Sequence, residues 1–212
     1  MVGQAVPFGP KGEPSAVRKR PVKGAVALGP EGVAGDEQAY GGHGGVDKAI
    51  LHYPAEHYDT LRRRIVNFSL SPGGFGENLS TRGITEAEVC LGDRYRIGES
   101  VVVEVSQPRQ PCWKLGHNAG IREIPRILQK EAVTGWYYRV VVPGEVEAGM
   151  EMELVGRSHP EWTLARLIEG FFGTPGDEAF LREALRVETL GSEWRSAMEA
   201  RLSTGRVEAW EK

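Results

Sequence analysis

The run Gln107-Pro108-Arg109-Gln110-Pro111-Cys112-Trp113-Lys114 sets one thiol between two prolines and two cations. Cationic neighbours favour the thiolate, and a thiolate at neutral pH attacks electrophiles or ligates a soft metal. Free cysteines are commonly small buried hydrophobes, but this setting is polar and stiff. Proline fixes its backbone angle and resists regular sheet or helix. The run is therefore expected to leave a strand and to hold Cys112 in a defined place. The second cysteine, Cys90, completes no structural zinc or haem spacing with it.

Three further clusters carry polar chemistry. Tyr40-Gly41-Gly42-His43-Gly44-Gly45-Val46-Asp47-Lys48 places four glycines around a histidine, with His52 and Tyr53 just beyond. Such a loop reaches backbone angles closed to other residues, and its amides can surround an anion with Lys48 as a point charge. The same composition also makes ordinary turns, and His43, His52, His57 and Asp47 fall on no standard zinc spacing. In Pro72-Gly73-Gly74-Phe75-Gly76-Glu77-Asn78-Leu79, the carboxylate and carboxamide can hydrogen-bond a heterocycle or cap their own turn. In Thr134-Gly135-Trp136-Tyr137-Tyr138-Arg139, Arg139 brings a planar five-donor group.

These residues need a scaffold. Up to residue 155 the chain is rich in glycine, proline and short valine or isoleucine runs, which predict strands over 22–28, 48–53, 94–97, 101–106, 138–142 and 151–155. Many short strands without a repeating strand–helix unit favour a barrel or sandwich over a doubly wound sheet. One helix interrupts them over 54–65, with proline in its first turn and a solvated Arg62-Arg63-Arg64 end. Beyond residue 157 the apolar period becomes helical. Trp162, Leu164, Leu167, Ile168 and Phe171 predict one helix, Phe180, Leu181 and Leu185 a second with Thr174 as its cap, and Trp194, Met198 and Leu202 a third. Their aromatic residues are expected in a core, since short amphipathic helices hide their stripes only by packing together or onto the sheet.

The 212 residues carry 26 basic and 29 acidic side chains, a net charge of -3, which argues against direct nucleic-acid binding. Acidic residues on the helical part argue against a DNA-reading helix there. No window has transmembrane length and no leader-like apolar stretch opens the chain, so a cytoplasmic location with reduced thiols is expected. No apolar face decides an oligomeric state.

Taken together, the glycine loop, the Phe75-Gly76-Glu77-Asn78 run, the proline-flanked Cys112 and the Gly135-Trp136-Tyr137-Tyr138-Arg139 run resemble a MOSC domain protein of the YiiM-like branch. MOSC names the C-terminal domain of molybdenum cofactor sulfurases. The resemblance spans residues 24–155, and the helices beyond Trp162 resemble the small three-helix domain of that branch. It implies a mainly β fold, a twisted MOSC-type β-barrel with an interrupting helix over 1–157, followed by an all-α three-helix domain over 158–212. It also implies a pyranopterin molybdenum cofactor with Cys112 as the metal ligand. Its cofactor-binding positions fall on Gly44, Gly45, Lys48, Glu77, Asn78, Arg109, Lys114 and Arg139.

The activity so implied is reduction of N-hydroxylated compounds such as N-hydroxylated purine bases, a detoxification. Cys112 would anchor the metal, and His43, Asp47 or His52 would deliver a proton to the departing hydroxyl. No flavin, haem, iron–sulfur or dinucleotide motif occurs in the sequence, so electrons are expected from a separate reductase. Two other functions use the same cysteine: a sulfur carrier or sulfurtransferase holding a persulfide on Cys112, supplied in trans, and a non-catalytic carrier of the cofactor.

Overall fold

The opening residues form a hairpin that no sequence period signals, β1 (Val6–Phe8) with β2 (Glu13–Ser15). The computed structural model describes residues 1–39 and 41–207, the side chain of His43 excepted. After the hairpin come β3 (Val26–Gly29), β4 (Gly32–Val33), β5 (Ile50–His52), α1 (Ala55–Arg64), β6 (Arg94–Ile97) and β7 (Val101–Pro108). Two short helices, α2 (Trp113–Ala119) and α3 (Ile124–Lys130), then precede β8 (Trp136–Val142), β9 (Gly144–Val146) and β10 (Met152–Gly156). The helical part comprises α4 (Leu164–Ile168), α5 (Glu178–Ala184) and α6 (Ser192–Thr204).

The strands make three antiparallel sheets. Five run in the order β10-β6-β7-β8-β5, three in the order β4-β3-β9, and the opening hairpin stands apart. β3 touches β8 and β9 touches β7, so the smaller sheet lies against the middle of the larger. β7 is buried over nearly its whole length, which suits its unbroken Val-Val-Val opening, because α4 packs on it as well as its sheet partners. One apolar cluster joins Ile50, Val103, Val105, Trp136 and Tyr138 of the sheet to Leu164, Leu167, Phe171, Trp194 and Met198 of the helices. A second cluster, built from Phe8, Tyr58, Leu61, Phe75, Leu115 and Leu128, binds α1, α2 and α3 to the opening hairpin.

The expected sheet-rich part followed by three helices is what the chain forms, with physical reasons for the shifted bounds. The expected strand over 22–28 starts only at Val26, because Gly24 takes a φ of +74° that breaks extended backbone. The expected Thr174 cap is corrected: Asp177 caps α5 by accepting from the Phe180 N–H at 3.0 Å, while the Thr174 hydroxyl donates back to the Gly170 carbonyl. α4 runs into a wider π turn over Glu169–Gly173. Glycine leaves room in that turn for the Phe180 ring, since a Cβ at 170 would stand 2.2 Å from it and push it aside. Among the described residues no helix is long and apolar enough to cross a membrane.

One ion pair fastens the end of β10 to the turn before β6. Asp93, fully buried, accepts from Arg157 Nε at 2.8 Å and Nη2 at 2.7 Å, and from the Cys90 N–H at 2.8 Å. Arg157→Met strands a buried carboxylate and should cost about 3 kcal/mol of unfolding free energy, the low end for a broken buried pair because Arg157 itself is partly exposed. Urea denaturation measures this, and a loss under about 1 kcal/mol would show that water replaces the guanidinium.

Candidate functional site

A cavity of about 310 Å³ opens where the chain leaves β7, and Cys112 stands in its wall. A register shift between Val105 and Gln107 marks a bulge in the β7–β8 pairing just before this exit. The exit itself is fixed by the Arg109 N–H, which donates to the Gly135 carbonyl at 2.9 Å. Cys112 then occupies the N-cap of α2 without a capping bond from its side chain, so the thiol is not spent on its own helix. Lys114, in the first turn of α2, donates to the Pro14 carbonyl of β2 at 3.2 Å, and this bond draws the opening hairpin over the cavity.

The same cavity is lined by Lys19, Lys48, Arg109 and Lys114 against Asp36, Glu37 and Glu193. Lys19 is paired with Asp36 and Lys48 with Glu193, while Glu37 accepts from the Ala5 N–H at 2.7 Å. Burial pulls the Lys19 ammonium below its ordinary value, against the opposing pull of Asp36. Arg109 and Lys114 have no carboxylate partner among the described residues. Arg109 is 7 % exposed, and its Nη1 is a buried donor with no hydrogen bond. Gln110 Nε2, in the same wall, is a second such donor. Buried donors without partners are costly and therefore uncommon. Two of them beside a partly exposed thiol are chemically suited to an acceptor-rich anion that also offers a soft metal.

Of the residues singled out in the sequence, the structure brings Lys48, Asn78, Arg109, Cys112 and Lys114 around one cavity. Asn78 is already engaged on both ends of its amide: Oδ1 accepts from the Leu51 N–H at 3.1 Å, and Nδ2 donates to Asp36 at 2.7 Å. The others stand elsewhere. Glu77 is fully buried and turned into its own loop, where it accepts from the Tyr58 hydroxyl at 2.8 Å and the Gly73 N–H at 2.6 Å. It holds the Pro72–Gly76 turn and is not part of the cavity wall. Burial raises its carboxyl above the ordinary range despite those bonds.

Arg139 is consumed by Asp47 at 2.6 Å, Glu104 at 3.2 Å and the Thr189 carbonyl at 2.9 Å, and it lies outside the cavity wall. Asp47 also accepts from the Ser192 N–H and hydroxyl at 2.7 and 2.8 Å. Burial opposes its ionisation, but those bonds and Arg139 outweigh it and hold the carboxyl below its ordinary value. Both residues thus form a clamp between the sheet and the start of α6. Gly44 and Gly45 border a shallow depression with Asp47 and Ser192 instead of the cavity, where Gly42 takes their place. Gly44 is pressed against the Gln38 side chain, and Gly45 takes a φ of +100°. His43 ends a short turn, and its side chain lies outside the described residues.

His52 is sealed in the core. Its Nδ1 meets the Tyr138 hydroxyl at 3.0 Å and its Nε2 meets Thr81 Oγ1 at 2.8 Å. Burial, with a smaller contribution from nearby His57, pushes its pKa down to about 3. It is neutral at physiological pH and far from poised to deliver a proton. A histidine lowered in the folded state takes up a proton on unfolding below about pH 6.5. Stability is therefore expected to fall as pH drops from 6.5 towards 3, with a slope equivalent to one proton. His52→Gln keeps polar atoms in place and should flatten that slope in urea midpoints measured across the range. An unchanged slope would assign it to other groups.

Lys19, Gln110, Tyr137 and Glu193 line the cavity without having been singled out as site residues. Gln110 was in view within the Pro-Arg-Gln-Pro-Cys run. Glu193 had no local signal, because it comes from a different part of the chain.

The comparisons with known proteins agree with this layout. The MOSC domain family model matches residues 39–153, and the YiiM-like, 3-alpha helix domain model matches residues 162–205. The chain is 38 % identical to Protein YiiM of Escherichia coli over 203 residues, 94 % of this chain and 89 % of that one. It is 36 % identical over 155 residues to a protein named Reductase from Gibberella moniliformis, a match covering 71 % of this chain and 27 % of that longer protein. The crystal structure of YiiM from Geobacillus stearothermophilus superposes with a TM-score of 0.79 at 31 % identity, covering 95 % of this chain and 96 % of that one. A sheet-rich part with a cysteine-bearing cavity, the three helices behind it and similarity over nearly the whole length place this chain in the MOSC domain family, with the YiiM-like three-helix domain at its C-terminal side.

Proposed function

We propose that this cavity receives a phosphorylated pyranopterin molybdenum cofactor and that the chain reduces N-hydroxylated compounds, N-hydroxylated purine bases among them. The observation that carries the reading is the company of Cys112: a partly exposed thiol in one wall with Arg109, a buried cation whose Nη1 has no partner. Family membership supports a molybdenum-cofactor-related role, and the name of the fungal relative supports reductive chemistry.

The donor set fits the group on chemical grounds. Cys112 would supply a thiolate to the metal, while Arg109, Gln110 and Lys114 would hold the phosphate through charge-assisted bonds. When bound, such a group supplies two-electron redox change together with exchange of an oxygen ligand. The protein's share is positioning. Pro111, buried, fixes the chain into Cys112, and the bond from Lys114 to Pro14 keeps the hairpin over the cavity. Reduction of an N-hydroxyl group consumes two electrons and two protons and releases water. In this reading the electrons come from a separate reductase, and the proton reaches the cavity through its open side and not from His52 or Asp47.

The test is turnover. Purified protein loaded in a cofactor-producing host should reduce N-hydroxyadenine to adenine with reduced viologen as donor. Loaded protein that gives no amine product sinks the reductase reading. Persulfide on Cys112 in that case would move the function to sulfur transfer, and release of the cofactor to an acceptor would move it to a carrier.

A further inference from the structure

Lys48 reaches the cavity already neutralised. Its Nζ donates to the Gly42 carbonyl at 2.6 Å and pairs with the carboxylate of Glu193, in the first turn of α6. The partners are unequal: the Lys48 side chain is 9 % exposed and that of Glu193 40 %. The lysine is the fixed member, and the carboxylate is the one that water reaches. The helix carrying Glu193 is seated without this pair. Ser192 donates twice to Asp47, the Gly191 N–H donates to the Ser106 carbonyl at 2.8 Å, and Arg139 holds the Thr189 carbonyl. The other bond to Glu193, from Gln107 Nε2 at 3.0 Å, involves a neutral amide. Glu193 can therefore leave Lys48 while α6 stays in place.

We propose that Glu193 is a built-in counter-ion that an anionic ligand displaces from Lys48, so that the three-helix part sets the cavity's affinity for anions. An anion attracted by Arg109 meets Lys48 in the same cavity, takes over its ammonium, and Glu193 turns to water. A neutral ligand leaves the pair intact. Glu193 acts through Lys48 and is a positioning residue. The inference rests on the reading of the cavity as an anion receiver and not on the metal.

Isothermal titration of the full chain with inorganic phosphate tests it, using the wild type, Glu193→Gln, Lys48→Met and the double variant. Glu193→Gln should bind phosphate about two- to fivefold tighter, the upper part of the range for releasing a cation from a partly exposed partner. The double variant should show no gain over Lys48→Met, because the gain passes through Lys48. A merely structural role for Glu193 would not give that pattern, and thermal unfolding checks that each variant is folded. Equal affinity of wild type and Glu193→Gln, a gain that survives without Lys48, or no phosphate binding by any form overturns the proposal. Arg109→Met, titrated alongside, reports separately on the anion reading: wild-type affinity there, with the Glu193→Gln gain intact, removes the role of Arg109 and leaves the counter-ion standing.

Discussion

Cys112→Ser, produced beside the wild type in a host that makes molybdenum cofactor, is expected to retain less than about a tenth of the wild-type molybdenum while staying folded, because a hydroxyl is a poor ligand for a soft site that thiolate suits. Elemental analysis against protein concentration gives the ratio. Cys112 is the N-cap of α2 and makes no capping bond, whereas serine is among the strongest capping residues. The variant's thermal midpoint should therefore match or slightly exceed that of the wild type. Metal loss with an intact midpoint locates the defect in ligation. Equal metal in both proteins removes Cys112 from the ligand set. Cys90→Ser is the control: Cys90 is buried, its thiol raised by burial and by nearby Asp93, and it points at the Pro160 carbonyl at 3.6 Å. That change should cost packing and leave metal content alone.

The sheet was readable because its strands are short valine runs cut by glycine turns, and β6 falls on the residues its period indicates. The helical part was readable for the same reason, its apolar residues recurring at helical spacing. The helices α2 and α3 were not readable. Gly116, Gly120 and Pro125 look like breakers, yet each has a use that only the fold reveals. Gly116 lets α2 approach the Ile121 and Arg122 carbonyls, Gly120 takes a φ of +67° to close α2, and Pro125 sits in the first turn of α3.

The site divided along the same line. Residues that share one stretch of chain, Arg109, Gln110, Cys112 and Lys114, arrive together because two prolines hold that stretch. Residues whose bonding depends on distant partners are not legible from their own stretch of chain. His52, Asp47 and Arg139 have the right chemistry for a site, but Tyr138, Ser192 and Glu104 take up their polar atoms. A sequence shows which groups could act, and only packing shows which are left unspent. Glu193 is the converse case, brought to Lys48 by the docking of α6 across 145 residues of chain.

Arg109→Met should separate binding from stability with opposite signs. Methionine fills similar space without the charge, and replacing a buried ionic group by an apolar one of like volume is often neutral or stabilising. Arg109 makes no side-chain bond among the described residues, so the substitution removes desolvation cost without breaking a partner. Its one favourable role in the fold is at a distance, where its charge opposes the rise that burial imposes on the Glu77 carboxyl. The net change expected in the unfolding free energy of the ligand-free chain lies between zero and about +1 kcal/mol, read from urea denaturation. Anion affinity should move the other way. Losing a buried charge-assisted donor costs about 3 kcal/mol, so phosphate binding should weaken about 100-fold and cofactor retention on purification should fall with it. A loss of both stability and affinity would make Arg109 a structural cation. Unchanged affinity with raised stability would mean that the cavity binds anions without Arg109. The combination expected, a chain made no weaker but unable to hold its ligand, is the mark of a group kept unsatisfied in the folded protein for what it binds.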